Sequence, residues 1–252
     1  MSRRDERHNR LVQDEFERAA EGFAERTANR FDALGVVEFS RLEPGEMVVE
    51  VGAGTGNFLA LFDSGPELRV ALDLTPGMLQ VALRRHSGIE AVASDGARLP
   101  LRERSVDLVC TAQALHHIRK PVPVLLEMRR VARDSGRVLI VDQLAPERYE
   151  QAQALFELEV LRDPSHAASR PASAFRTIAL AAGLQLLDER VVSQQTRVAD
   201  WMWPGEFPED RIAAVRAFIE ARGHETGKGF ERDGDDWVFT TRRIMLLAGR
   251  DR

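Results

Sequence analysis

Three glycines spaced two apart, Gly52, Gly54 and Gly56, close the apolar run Met47-Val48-Val49-Glu50-Val51. Glycine lacks a Cβ, so this turn can take positive φ and let a ligand lie directly against the backbone. A buried strand that passes through such a turn into a helix start suits nucleotide-like ligands. A dinucleotide fingerprint, G-x-G-x-x-G, would require glycine where this chain has Asn57. Carboxylates follow at intervals that fit a nucleoside. Asp73 stands 21 residues after Gly52, where it can accept hydrogen bonds from both hydroxyls of a ribose or cap the next helix. Asp95-Gly96 can accept from an adenine amine and donate a backbone N–H to a ring nitrogen, or form a plain turn. Glu50, acidic at the end of an apolar run, can orient the turn backbone or reach a cofactor amino group through water. Met78 is spaced to lie against a purine ring or to pack in the core.

The elements that must hold these groups alternate regularly. Strands are expected at 47–51, 68–73, 89–93, 106–111 and 138–141, with helical sequence after the glycine turn (Phe58, Leu59, Leu61, Phe62), from Thr75-Pro76, and over 121–133. This rhythm predicts an α/β fold, a doubly wound and mostly parallel sheet with helices on both faces. Right-handed crossovers bring all strand C-termini to one edge, so Gly52, Asp73, Asp95, Ala112 and Asp142 should line one crevice. Ahead of the sheet, residues 5–34 read as an amphipathic helix. Its Phe16 and Phe23 either pack on the core or close as a lid over a substrate. Beyond Pro146 come helices at 147–161, 172–182 and 209–221, strands at 184–192 and 237–247, and a polar loop at 223–235.

The ordered set E-x-G-x-G-x-G, L-D-x-T-x-x-M-L, S-D-G-A-x-x-L-P-L and S-V-D-L-V-x-x-x-x-x-L-H-H-I resembles class I S-adenosylmethionine (SAM)-dependent methyltransferases. It is most similar to the branch of ubiquinone/menaquinone-biosynthesis C-methyltransferases and their small-molecule relatives. The strong match covers roughly residues 45–142, and a looser likeness reaches about Gly183, including Leu161-Arg162-Asp163-Pro164-Ser165-His166. From about 195 onward no diagnostic motif appears. The resemblance implies a seven-stranded sheet that binds SAM. Gly52, Gly54, Gly56 and Gln113 would serve the methionine end, Asp73 the ribose, and Asp95 with Gly96 the adenine.

Methyl transfer from a sulfonium is an in-line displacement, and positioning alone can remove about 7–11 kcal/mol of its barrier. A base is needed only if the acceptor must lose a proton. His117, beside His116, and His166, near Asp163, are the candidates, with helix capping or packing as the plain alternative. Phe16, Phe23, Phe156, Trp201 and Trp203 are the aromatic positions from which acceptor walls would come. No G-x-S-x-G nucleophile and no metal-ligand spacing are present.

The 252 residues, 44% hydrophobic and 30% charged, suit one globular domain. It divides into a helical lid (1–40), a SAM-binding core (41–145) and substrate-side helices and last strands (146–252). A net charge of −5 argues against nucleic acid or an anionic membrane surface as partner. The single Cys110 excludes an internal disulfide. No signal-like or membrane-spanning run is seen, so a cytoplasmic protein is expected. The functional expectation is methyl transfer to a small, partly apolar acceptor. An NAD(P)-dependent oxidoreductase and a SAM-binding protein without transferase activity are the alternatives. Oligomeric state is not fixed, a homodimer being the assembly to test.

Overall fold

The computed structural model describes residues 3–202 and 208–250. Its centre is one sheet with strand order β3-β2-β1-β4-β5-β8-β6. The strands are β1 (Met47–Val51), β2 (Leu68–Asp73), β3 (Ile89–Ala93), β4 (Val106–Ala112), β5 (Ala132–Gln143), β6 (Leu184–Arg197) and β8 (Asp236–Arg250). A three-residue strand, β7 (Glu231–Asp233), adds to β8 as an eighth. β1 to β5 pair in parallel, and β8 runs antiparallel to both β5 and β6. The chain winds outward from β1 through β2 to β3, then returns to β4 on the other side of β1. The strand order therefore reverses between β1 and β4, where a crevice opens at the strand ends.

Alternate residues of the strands serve two apolar layers. Val49, Val51, Val70, Leu72, Val109 and Ile140 face one layer with Leu125, Met128 and Phe175. Val48, Ala71, Leu108, Cys110 and Leu139 face the other with Phe31, Phe58, Phe62 and Leu79. A sheet covered on both sides needs apolar residues at every position, which explains its unbroken hydrophobic runs. The helices are α1 (Arg3–Arg26), α2 (Val36–Ser40), α3 (Pro76–Arg85), α4 (Pro121–Val131), α5 (Tyr149–Arg162), α6 (Ala172–Ala181), α7 (Val198–Trp201) and α8 (Glu209–Arg222).

Several elements differ from the sequence expectation. The first helix stops at Arg26 instead of reaching residue 34, because its last polar groups are claimed elsewhere. Asn57 Nδ2 donates to Ala24 O at 2.9 Å and to Thr27 Oγ1 at 2.8 Å. The expected helix after the glycine turn is a single 3-10 turn, Leu59–Leu61, since the break at Ser64-Gly65-Pro66 leaves too little chain to continue. β6 and β8 outrun their apolar alternation. Their ladder extends through Gln194, Gln195 and Thr196, because backbone pairing does not depend on apolar side chains. Part of the expected polar loop at 223–235 forms β7. Among the described residues no helix is long and apolar enough to cross a membrane.

Candidate functional site

The glycine turn is bolted to the neighbouring strand. Gly52 N and Ala53 N both donate to Leu72 O, at 2.8 and 3.0 Å. Gly52, Gly54 and Gly56 adopt φ of +74°, +54° and +77°. A Cβ on Gly52 would stand 2.6 Å from the Ala114 methyl, whereas one on Gly54 would meet nothing within 4 Å. Gly52 is thus required by backbone shape and close approach, and Gly54 opens the turn toward empty space. Gly56 differs from both, since its missing side chain lets the turn pack on Ala82 and His86 beside α3.

Asp73 ends β2 and accepts Gly54 N at Oδ2 (2.7 Å) and Thr75 N at Oδ1 (2.8 Å). Burial raises its pKa, against the pull of the Thr75 and Gly54 N–H groups, the Thr75 hydroxyl and the Leu74 N–H. Glu50 is 1% exposed and its pKa is pushed well up by burial and by neighbouring Asp73. At β3, Asp95 Oδ1 accepts Ala97 N at 2.9 Å, making a turn in which Gly96 backs onto Val51, its Cβ position only 3.0 Å away. After β4, Gln113 takes φ of +51° while its N donates to Val141 O at 2.8 Å. A non-glycine residue held there is costly, and such positions gather at functional sites.

These groups surround one cavity of about 650 Å³, within the range of small-molecule sites. Its wall includes Glu50, Gly52, Gly54, Asp73, Met78, Asp95, Gly96, Ala112, Gln113 and His117, with Phe16 and Phe23 from α1. Helix α1 roofs it, tied by polar contacts to the segments that follow β4, β2 and β1. Asp5 pairs with Lys120, His8 Nε2 donates to His117 O, and Gln13 Nε2 donates to Leu74 O. Glu17 accepts Gly77 N, Glu21 pairs with Arg84, and Asn57 holds Ala24 O. Met78 is 1% exposed and packs with Ala20, Ala24 and Val81, so its cavity contact and its core packing coexist.

Five sequence expectations lie elsewhere, Phe156 among them. Asp142 is fully buried away from the crevice. Its carboxylate accepts His116 N at 3.1 Å and faces His116 Nδ1 at 2.6 Å, while burial raises its pKa to about 6. His166 is 3% exposed, stacks on His116 at 5.3 Å and lies 5.8 Å from the Phe156 ring. Burial lowers the His166 pKa to about 3, so it is neutral. Trp201 packs edge-on against Phe239 with the Arg162 guanidinium 4.7 Å over its ring, in a separate apolar cluster under α5 and α8. Gly56 faces α3 instead of the cavity. Trp203 lies outside the described residues. Cys110 is buried, with its thiol donating to Val49 O at 3.4 Å and its pKa pushed up by burial.

The cavity also contains residues that spacing did not single out. Arg30 lines it beside Phe23, its guanidinium 5.4 Å from that ring and without a hydrogen-bond or ion-pair partner among the described residues. Burial and the nearby Arg243 and Arg162 lower its pKa to about 9. Glu50 Oε2, Ser94 Oγ and Gln113 Nε2 are buried on the wall without partners. Acceptors, a donor and an unpaired cation thus face one space, the complement of a ligand with an ammonium, hydroxyls and a carboxylate. Among the described residues no three His, Cys, Asp or Glu side chains are arranged to hold a metal ion.

Known proteins resemble this arrangement. Residues 49–140 match the family model of a methyltransferase domain. Demethylmenaquinone methyltransferase of Renibacterium salmoninarum is 36% identical over 112 residues, 44% of each chain. The match therefore spans less than half of that curated relative. An uncharacterized methyltransferase of Bacillus subtilis, YcgJ, is 28% identical over 208 residues, 79% of this chain and 82% of its own. The crystal structure of the YcgJ protein superimposes with a TM-score of 0.77 at 22% identity, covering 86% of this chain and 97% of that one. That is the same fold.

Proposed function

We propose that this chain, whose residues 49–140 match the family model of a methyltransferase domain, transfers a methyl group from SAM to a small, partly apolar acceptor. The observation that carries this reading is the convergence of Glu50, Gly52, Gly54, Asp73, Asp95 and Gln113 on one cavity. In this reading Asp73 holds the ribose hydroxyls. Asp95 and Gly96 meet the adenine edge, and Met78 its face. Glu50 takes the ammonium, Arg30 the carboxylate, and the bare backbone of Gly52 and Gly54 the methionine chain. SAM, when bound, supplies a methyl already activated on a sulfonium, so the protein contributes alignment. The apolar roof of Val12, Phe16 and Phe23 keeps water from the reacting centre and supplies an apolar wall for the acceptor.

We take residues 1–252 as one working unit, with 1–40 as lid, 41–145 as cofactor core and 146–252 as acceptor side. The acceptor is a small molecule rather than nucleic acid, and the setting cytoplasmic. A homodimer is the assembly that light scattering should test. The deciding experiment is parallel calorimetric titration with SAM, S-adenosylhomocysteine and NAD. Binding of both sulfur nucleosides without NAD supports the reading, and NAD binding alone overturns it. Asp73→Ala should weaken SAM about 100-fold, given that hydrogen bonds to a charged group contribute about 1.5–3 kcal/mol each. Unchanged affinity with an intact fold would remove Asp73 from the site.

A further inference from the structure

His117 is the only one of the two histidines expected as bases, His117 and His166, that lines the cavity. The turn 163–166, remote in sequence, fixes its protonation. His117 Nδ1 lies 3.2 Å from Ser165 O and 3.0 Å from Ser165 Oγ. A carbonyl only accepts, so the proton of the neutral ring sits on Nδ1. Ser165 Oγ in turn donates to Asp163 Oδ1 at 2.6 Å, which leaves its lone pair for Nδ1–H. Nε2 is therefore bare. It stands 3.9 Å from Asp163 Oδ2, a buried oxygen without a hydrogen-bond partner among the described residues. Two acceptors face one another with no proton between them. One added proton on Nε2 converts this opposition into an ion pair, which is the arrangement of a base whose charged form is stabilised in advance.

We propose that His117 takes a proton from the methyl acceptor, with Ser165 setting its tautomer and Asp163 supplying the counter-charge, and that the acceptor is consequently a protic nucleophile, a hydroxyl or an N–H compound. This rests on the transferase reading. In the step, the acceptor's O–H or N–H bond breaks and its proton passes to His117 Nε2. The electron pair left on oxygen or nitrogen forms the bond to the methyl carbon, and the carbon–sulfur pair returns to the methylsulfonium donor as a neutral thioether. Thioethers and tertiary amines, having no proton to lose, would gain nothing from this arrangement.

Other groups around His117 have different duties. His116, with its ring 4.2 Å away, faces Asp142, and His166 at 6.3 Å faces Ser169. Arg162 is bound to Glu159. From α1, His8 holds the His117 carbonyl, and Phe16 meets the ring edge-on at 5.0 Å. The nearby Lys120 is paired with Asp5. Asp163 and Ser165 are positioning residues, and His117 is the group that meets the acceptor.

The test is imidazole NMR of the full chain saturated with S-adenosylhomocysteine. Neutral His117 should carry its proton on Nδ1. Ser165→Ala should shift the balance toward the Nε2–H form, and Asp163→Asn should slow methyl transfer to p-cresol about tenfold. Both variants should bind S-adenosylhomocysteine within twofold of the parent, a result that separates positioning from misfolding. A neutral His117 protonated on Nε2, or a tautomer balance indifferent to Ser165→Ala, would overturn the proposal. So would methyl transfer to thioanisole in preference to p-cresol. Failure of the parent chain to bind S-adenosylhomocysteine would instead overturn the transferase reading beneath it.

Discussion

In the parallel half of the sheet, β1 to β5, the polar groups of interest begin where strands stop, whereas in the antiparallel half, β8 and β6, they come from turns that only tertiary packing brings near. Asp73 ends β2, Asp95 and Gln113 follow β3 and β4, and all three face one cavity. Beyond residue 146, Trp201, Phe239 and Arg162 instead form a packed corner of their own. The contrast separates two kinds of burial. In the first half polar atoms are left unpaired toward a space, and in the second most are consumed within the protein. One exception is the turn 163–166, which sends its unpaired Asp163 oxygen back toward His117.

This contrast can be broken at either end. Gly52→Ala should have the largest effect, because the new methyl must displace Ala114 and occupy positive φ. SAM affinity should fall by at least about 100-fold, on the order of 3 kcal/mol. Calorimetric affinity within tenfold of the parent would show that the turn is not the ligand's floor. Trp201→Ala should do the reverse, lowering stability by about 2–3 kcal/mol in a urea melt and leaving SAM affinity unchanged. A weakened SAM affinity there would place the aromatic corner in the site after all.

Asn57→Ala tests the border between the two kinds of burial. It removes two buried donor bonds, each contributing about 1 kcal/mol, and should cost about 2 kcal/mol while accelerating SAM dissociation in stopped flow. Stability lost without any change in dissociation rate would make Asn57 a purely structural tie.

A further test concerns pH. His166 is held neutral down to about pH 3, whereas its ordinary pKa is near 6.5. Below 6.5 the unfolded chain takes up a proton that the folded chain refuses, so stability falls as pH drops from 6.5 toward 3. Asp142 acts oppositely between its ordinary 3.8 and about 6, since its folded carboxyl keeps a proton longer. The readable quantity is therefore the difference between parent and His166→Gln, which should reach about 1 kcal/mol per pH unit in that window. Parallel curves would mean that His166 is not desolvated as placed.

Legibility in the sequence follows the same division. The strands β1 to β5 were readable because two-sided burial writes them as apolar runs, and Gly52, Asp73 and Asp95 because a strand end is a fixed place on a doubly wound sheet. Arg30 was not readable, since one arginine after an amphipathic helix has no periodic signature. Asn57 was visible as a departure from the dinucleotide pattern. Its work of holding Ala24 O and Thr27 Oγ1 depends on where α1 lies, which spacing does not encode. Trp201 was misplaced because aromatic character marks burial without saying against what. The relay at His117 joins residues 48 apart in sequence, a distance over which local pattern carries no information.

The fastening of α1 has a consequence for exchange of molecules. Its ties at Asp5, His8, Gln13, Glu17, Glu21 and Ala24 recur about once per helical turn, reaching the segments that follow β1, β2 and β4. No single one is strong, and exposed pairs such as Asp5 with Lys120 contribute less than about 1 kcal/mol. A helix secured this way behaves as a zip rather than a hinged door. It can part over one or two turns while the remainder stays closed, so the aperture is graded by the number of ties undone. A small acceptor and a bulky nucleoside would then leave through openings of different width, at different rates, from beneath the same helix.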